Sequence, residues 1–319
     1  MEPLIFMGTP EFAVPALQRL AAAGYPCTVV TQPDRPAGRS GALQPPPVKQ
    51  AAAALGLPVW QPATLRDPAV VERIRALAPA AIVVVAYGEI LRPAVLDVPA
   101  HGCLNLHPSL LPRWRGPTPM NAAILAGDTK TGVSVIQMDA GMDSGPLLAQ
   151  EEAPLYPNDT TASLSARLAE HGARLLAETV GQVLRGAAIP RPQPAQGMTI
   201  CRLLRKEDGR LDWTAPAAEL ERQVRAYDPW PGTYTTWAGR RLKVLATRVL
   251  GDAAAAELGS DNRPGTVSRV PGATGPAGPA VRCGQGWLEL TGVQLEGKPA
   301  TGAGAFLRGY PALVGAVLA

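Results

Sequence analysis

The sequence has little of what announces metal, disulfide or membrane chemistry. Its 319 residues contain four cysteines, Cys27, Cys103, Cys201 and Cys283, all far apart. They form no CxxC pair and have no histidine at zinc-ligand spacing, so they read as buried free thiols in a reducing compartment. No run approaches the roughly 18 uninterrupted apolar residues of a membrane-crossing helix. The opening MEPLIFMGTPEF carries Glu2 where a signal peptide is basic and soon reaches Gly8 and Pro10; it is expected to be a first buried strand of a soluble, cytoplasmic protein. The turn that follows, FMGTPEFAVPAL, has one glycine and two prolines in place of GxGxxG, so a dinucleotide fingerprint is lacking.

What is present is ordinary in amount and uneven in distribution. Hydrophobic residues make up 46% and charged residues 18%, a composition suited to a soluble chain long enough for two domains. The net charge of +4 is concentrated: residues 201–250 hold 10 basic and 6 acidic side chains, whereas 1–189 hold 14 and 15. A basic stripe confined to one segment suits either a phosphate backbone or a solvated face.

The first half alternates apolar runs (PLIFMG, CTVVTQP, AIVVVAYG) with Ala/Leu-rich helical patterns, which predicts an α/β doubly wound parallel sheet covered on both faces. AIVVVA lacks polar alternation and should lie in the middle of that sheet. The pattern NDTTASLSARLAEHGARLLAETVGQVLRG predicts one long helix ending at Gly186. AAIPRPQPAQGMT has three prolines and no periodicity, the mark of a linker. The expected organisation is a first domain over 1–189, a linker over 190–205 and a second domain over 206–319. In the last of these, TYTTWA, RLKVLATRV, PGTVSRV, AVRCG and GWLELTGVQL read as the short strands of an all-β barrel of the oligonucleotide-binding kind.

Two clusters carry chemistry. In HGCLNLHPSLLPRWRGPTPMNAAI, a strand CLNL puts Asn105 and His107 two apart and so on one face. An amide donor beside an imidazole can bind a carbonyl oxygen that gains negative charge, as acyl transfer requires. In TGVSVIQMDAGMDSGPLLAQ, a strand runs into a loop with Asp139 and Asp143, the latter between Gly141 and Gly145. A carboxylate delivered from there beside His107 would favour the charged ring and could take a proton from an attacking amine. A simple turn explains that loop equally well, and its spacing is not that of a calcium loop.

These residues together resemble the folate-dependent formyltransferase family, in its bacterial branch directed at methionyl-tRNA, along nearly the whole chain. FMGTPEFAVPAL, TQPDRPAGR, LNLHPSLLPRWRGPTPM and GVSVIQMDAGMDSGPLL carry the resemblance in the first domain, and LRKEDGRLDWTAPAAELERQVRAYDPWPGTY and FLRGYPALVGAVL carry it in the second. The resemblance implies a Rossmann-like formyltransferase domain followed by the barrel, 10-formyltetrahydrofolate as donor, no metal, and charged initiator tRNA as acceptor, with the chain acting as a monomer. It also implies that Asn105 holds the formyl oxygen, His107 stabilises the oxyanion and Asp143 orients His107 and assists proton removal. Ser109, Leu110, Leu111 and Pro112 would form the folate-contacting turn, and Arg35, Arg39 and Lys206 would contact the tRNA.

Two departures stand out. Ser40, Gly41, Ala42 and Leu43 follow the AGR of the first-domain loop where much of the family is strongly basic, which implies a weaker phosphate grip there. Pro108 and PTPM after Gly116 stand where the tRNA branch more often has Ala and AAPI, and HPSLLP is instead common in the purine-pathway branch. Rival readings are formylation of a small amine such as glycinamide ribonucleotide or an amino sugar, and an RNA-binding protein on an inactive scaffold. The concentrated charge of the second domain speaks against the first, and the intact Asn105, His107 and Asp143 speak against the second.

Overall fold

The run LIFMG forms the first strand, β1 (Leu4–Gly8), buried along its whole length. In chain order it is followed by β2 (Cys27–Val30), a small separate hairpin of β3 (Arg35–Ala37) and β4 (Ala42–Gln44), then β5 (Val59–Trp60), β6 (Ala81–Val85), β7 (Cys103–His107), β8 (Lys130–Gln137) and β9 (Leu147–Pro154). The computed structural model describes residues 1–37, 41–258, 263–270 and 278–319. Seven of the strands form one sheet in the order β5-β2-β1-β6-β7-β8-β9. The five from β5 to β7 are parallel, β8 runs antiparallel to β7, and β9 runs antiparallel to β8. The strand order reverses between β1 and β6, the kind of point beyond whose carboxyl edge ligands of open α/β sheets bind. AIVVV is β6, fully buried beside β1 as its unbroken hydrophobicity requires.

The helices are α1 (Val14–Ala22), α2 (Pro47–Ala54), α3 (Pro68–Ala76), α4 (Pro93–Leu96), α5 (Pro119–Ala126) and α6 (Thr161–Leu184). Asp67 caps α3 by accepting the Ala69 N–H at 2.9 Å. On one face of the sheet, Ile5, Met7, Ile82, Val84 and Cys103 pack with Val71, Ile74 and Val95 into one apolar cluster. On the other, Gly172 of α6 meets Leu106 of β7 so closely that a Cβ there would lie 2.7 Å from the Leu106 side chain. The strand β7 therefore has one face committed to α6. Its other face begins apolar at Cys103 and ends polar at Asn105 and His107.

The chain separates into two units, one of Met1–Pro119, Lys130–Leu155 and Leu164–Arg202, the other of Met120–Thr129, Tyr156–Ser163 and Leu203–Ala319. The Pro-rich residues 190–202 thus group with the first unit.

The second unit contains α7 (Ala217–Ala226), β10 (Thr233–Trp237), β11 (Arg240–Val249), α8 (Asp252–Ala256), β12 (Val267–Arg269), β13 (Pro279–Arg282), β14 (Trp287–Leu295), β15 (Thr301–Gly302) and α9 (Ala303–Gly309). The main strands are antiparallel in the order β10-β11-β14-β13-β12, and β15 pairs with β14. The two outer strands do not end as open edges. Thr236 of β10 exchanges backbone hydrogen bonds with Ala319 at 2.8 and 3.2 Å, and Val267 of β12 does so with Gly315 and Ala316 at 2.8 and 2.9 Å. The tail from Gly315 to Ala319 thereby closes the sheet into the expected barrel. Its core contains Trp213, Leu220, Val224, Leu242, Val244, Leu288, Leu290 and Phe306. The Trp213 indole is satisfied by the Thr235 hydroxyl at 3.0 Å. Strands β12 and β13 are paired through Arg269 and Pro279; most of the PGATGPAGPA loop between them lies outside the described residues.

Candidate active site

Strand alternation brings Asn105 and His107 to the same face of β7, with His107 its last residue. Backbone pairing runs Leu104–Gln137 through His107–Ser134, so the end of β8 lies at the beginning of β7. The loop after β8 folds back over β7 and delivers Asp143 between the two side chains. The Asn105 amide nitrogen donates to Asp143 Oδ1 at 3.3 Å, and His107 Nδ1 stands 3.6 Å from Asp143 Oδ2. The backbone N–H of Gly116 donates to the same Oδ2 at 2.8 Å. Asp143 itself adopts φ +48°, a left-handed conformation that costs a non-glycine residue about 1–2 kcal/mol.

Neighbours hold that conformation. Asp139 accepts the Gly141 N–H at 3.0 Å and the Ser144 hydroxyl at 2.7 Å, which fixes the bend. At Gly145 a Cβ would overlap the Gln137 carbonyl oxygen, so only glycine allows the loop to return this close to β8. Asp139 is therefore a structural partner of the loop, and Asp143 is the carboxylate turned toward the histidine.

His107 Nε2 lies 2.9 Å from the carbonyl oxygen of Trp114. A carbonyl only accepts, so Nε2 carries a proton, and Nδ1 is the ring nitrogen free to gain or give one. The ring is buried, and this burial holds its pKa below the ordinary imidazole value of about 6.5; the Asp143 carboxylate and the Trp114 carbonyl pull the other way. Near neutrality the ring is thus a neutral base with a carboxylate behind Nδ1.

This shift has a consequence for stability. Between the lowered value and about 6.5 the unfolded chain binds more protons than the folded one, so stability falls as the pH descends through that interval and is level above it. Urea denaturation at steps from about pH 7 down to pH 5 should show this loss in the parent and a flatter profile in His107→Gln. An identical slope in both would assign the proton uptake to other groups.

The remaining expected residues are distributed as follows. Ser109, Leu111 and Pro112 are buried and Leu110 is half-buried. The turn is fixed by Ser109 Oγ donating to the Arg113 carbonyl at 2.6 Å, Ser134 Oγ donating to the Ser109 carbonyl at 2.6 Å, and Gln150 Nε2 donating to the Leu111 carbonyl at 3.0 Å. Arg35 is exposed on β3, with its guanidinium 3.2 Å from Gln32 Oε1. Lys206 is exposed at the start of a one-turn helix, Lys206–Gly209, of the second unit. Arg39 lies outside the described residues.

Several of the ten basic side chains in 201–250 are engaged internally: Arg225 pairs with Glu221 and Arg248 with Glu289, each at 2.6 Å, and Arg222 and Arg240 donate to the carbonyls of Leu125 and Glu296. In the same unit Tyr234, Arg241 and Lys243 line one concavity of β10 and β11, with the Arg241 guanidinium 4.1 Å from the Tyr234 ring centroid. Sequence reasoning missed the Trp114 carbonyl, the Gly116 N–H and Gln193, the last of which sits beside Asp143. Backbone groups leave no residue signature, and Gln193 lies in a segment without periodicity.

A sheet of this topology with an Asn-His-Asp cluster at a strand's carboxyl end has the parts for transfer of a one-carbon acyl group. Residues 3–180 match the family model for formyl transferases, and residues 203–311 match that for the formyl transferase C-terminal domain. The chain belongs to the formyl transferase family. Its curated relatives include the methionyl-tRNA formyltransferase of Chloroflexus aggregans, 51% identical over 310 residues and 97% of each chain. Another is the methionyl-tRNA formyltransferase of Myxococcus xanthus, 46% identical over 307 residues, 96% of this chain and 95% of the relative.

Among solved structures, the N-formyltransferase from Helicobacter canadensis in complex with folinic acid and dTDP-3-aminofucose superposes with a TM-score of 0.66 at 15% identity, covering 90% of this chain and 98% of the other. HypX from Aquifex aeolicus in complex with tetrahydrofolic acid gives a TM-score of 0.62 at 17% identity, over 96% of this chain and 47% of that one. At these identities the likeness is one of fold. Among the described residues no helix is long and apolar enough to cross a membrane.

Proposed function

We propose that this chain transfers the formyl group of 10-formyltetrahydrofolate to the α-amino group of methionyl initiator tRNA. The observation that carries the reading is the convergence of Asn105 Nδ2 and His107 Nδ1 on the Asp143 carboxylate, at 3.3 and 3.6 Å, in a chain about half identical to methionyl-tRNA formyltransferases over nearly its full length.

The surroundings suit a flat, reduced folate with a polar edge. Ile90 on the loop after β6 is 82% exposed and Met142 beside Asp143 is 58% exposed, two apolar side chains on the loops that flank β7. Leu110 is the member of the Ser109–Pro112 turn with exposed side-chain surface, while Ser109, Leu111 and Pro112 shape the turn. The bound donor supplies a formyl carbon open to attack by an amine.

The protein's own groups do the rest. The second amide hydrogen of Asn105, the one not given to Asp143, is available to a carbonyl oxygen. His107 Nδ1 takes the proton that the attacking amine loses. The imidazolium, stabilised by Asp143, places a positive charge beside the developing oxyanion and returns the proton to the donor's leaving nitrogen as the formyl carbon–nitrogen bond breaks. An α-amino group has an ordinary pKa of about 7.7–8.0, so a useful share of the acceptor is neutral near pH 7.

For the tRNA, Arg35, Arg39 and Lys206 are the proposed phosphate contacts. The pairing of Tyr234 with Arg241 and Lys243 adds an aromatic ring among cations, a combination that suits a nucleic-acid backbone. The reaction is assigned to the cytoplasm, where initiator tRNA is charged, and to a single copy of the chain.

The test is transfer of labelled formyl from 10-formyltetrahydrofolate to charged initiator tRNA, beside uncharged tRNA and glycinamide ribonucleotide. Label on charged tRNA alone is expected. Label on the small amine alone would keep the chemistry and overturn the acceptor.

A further inference from the structure

Residues 190–202 are tied by backbone to both loops that build the site. At one end Arg191 and Leu147, the first residue of β9, exchange hydrogen bonds at 2.7 and 2.8 Å. At the other end Arg115 N–H donates to the Thr199 carbonyl at 3.0 Å, and Cys201 N–H donates to the Arg115 carbonyl at 2.8 Å. The Trp114 N–H donates to Thr199 Oγ1 at 2.9 Å. A segment whose composition marks it as a linker is therefore a strap between the loop of Asp143 and the turn of Trp114 and Gly116.

Gln193 sits two residues beyond the Arg191 end of the strap. Its amide nitrogen donates to the carbonyl oxygens of Asp143 at 2.7 Å and Gly145 at 2.8 Å. Its amide oxygen accepts from Arg115 Nε at 3.0 Å and Nη2 at 2.7 Å. A primary amide has two hydrogens and two lone pairs, so the bonding capacity of this side chain is fully used. One end holds the backbone of the residue that faces His107 Nδ1. The other end holds Arg115, whose neighbours Trp114 and Gly116 supply the carbonyl on His107 Nε2 and the N–H on Asp143 Oδ2.

We infer that Gln193 is a positioning residue for the His107–Asp143 pair: it fixes the distance between the two loops and so the relation of Nδ1 to the carboxylate. The inference rests on the proposed role of that pair. Displacement of a reacting group by about 1 Å costs on the order of 10²-fold in rate, so a side chain that sets this spacing should act on turnover more than on binding. Gln193→Leu keeps similar bulk and removes all four hydrogen bonds. Gln193→Glu keeps acceptance from Arg115 but sets a carboxylate against two carbonyl oxygens.

The experiment combines kinetics with histidine ring NMR of the full chain. The sequence has three histidines, His101, His107 and His171, so His107 is assigned by its absence in His107→Gln and the other two serve as controls. In Gln193→Leu, kcat should fall roughly 10- to 100-fold with KM for both substrates little changed. The His107 titration should move while those of His101 and His171 stay in place. Gln193→Glu should show the same pattern.

A wild-type His107 titration with wild-type kcat would overturn the inference. So would loss of dispersed signals for all three histidines in both variants, because Gln193 would then be holding the fold. A moved His107 titration in a protein whose parent transfers no formyl would keep the positioning role and overturn the function proposed for the pair.

Discussion

His107→Ala is expected to lower kcat for formyl transfer by roughly 10²–10⁴-fold and to leave KM for charged tRNA nearly unchanged. The ring holds both ends of the site's proton inventory: Nε2 is committed to the Trp114 carbonyl at 2.9 Å, and Nδ1 faces Asp143 Oδ2 at 3.6 Å. Alanine removes the proposed base for the amine proton and the positive charge that the protonated ring would place beside the oxyanion. The tRNA contacts proposed on Arg35, Arg39 and Lys206 belong to other segments, so binding should survive. Steady-state kinetics with a separate tRNA-binding assay separate the two effects, and equal losses in kcat and binding would contradict a role in the chemical step. The variant also removes the His107 donor from the Trp114 carbonyl, which retains the Cys201 thiol at 3.8 Å, so a parallel measurement of urea midpoint is part of the same experiment.

Asp143→Asn should be the second most damaging change, with a loss in kcat on the order of 10²–10⁴-fold and less effect on folding. Asparagine can still accept the Gly116 N–H through its amide oxygen, and it tolerates the left-handed φ of +48° nearly as well as aspartate. What it cannot do is offset charge on His107. With its amide oxygen in the place of Oδ2 its NH₂ faces the Asn105 amide, which also donates; turned the other way the NH₂ meets the Gly116 N–H and occupies the lone pair of His107 Nδ1. Either way the ring no longer becomes a stabilised imidazolium. The measurement that isolates this is the pH dependence of kcat: the limb governed by His107 should be displaced to lower pH in the variant, because an attraction that raised the ring's proton affinity has gone. Retention of both the rate and the limb would mean that Asp143 serves the loop alone.

The candidate site was legible because two-residue strand periodicity fixes which side chains share a face. CLNLH could put Asn105 and His107 together in no other regular way, and the glycines around Asp143 announced a close turn. Direction was not legible. The strand β9, LLAQEEAP, alternates poorly and gave no strand signal, so the antiparallel pair β8 and β9 was invisible in a half that otherwise reads as parallel. The long polar loop after β2 conceals the hairpin of β3 and β4, whose strands are only three residues each. The strap of 190–202 was hidden for a different reason. Its order comes from hydrogen bonds to distant backbone, and prolines without periodicity look the same whether a segment is free or pinned. Charge counting also overstated one feature, since Arg225 and Arg248 are consumed by carboxylates of their own unit.

The closure of the barrel by Gly315–Ala319 bears on how the second unit folds. Thr236 and Ala319 are separated by most of that unit's length, so their pairing is a contact of high sequence separation and must await every strand in between. Until it forms, β12 and the Thr236 end of β10 present unpaired backbone that can join a strand of another chain; the Tyr234 carbonyl of β10 is already taken by the Leu211 N–H at 2.9 Å. The slow, aggregation-exposed phase of refolding should therefore belong to the second unit. Residues outside the first unit, none of them in the candidate site, would then govern how much active protein a cell or a refolding experiment yields.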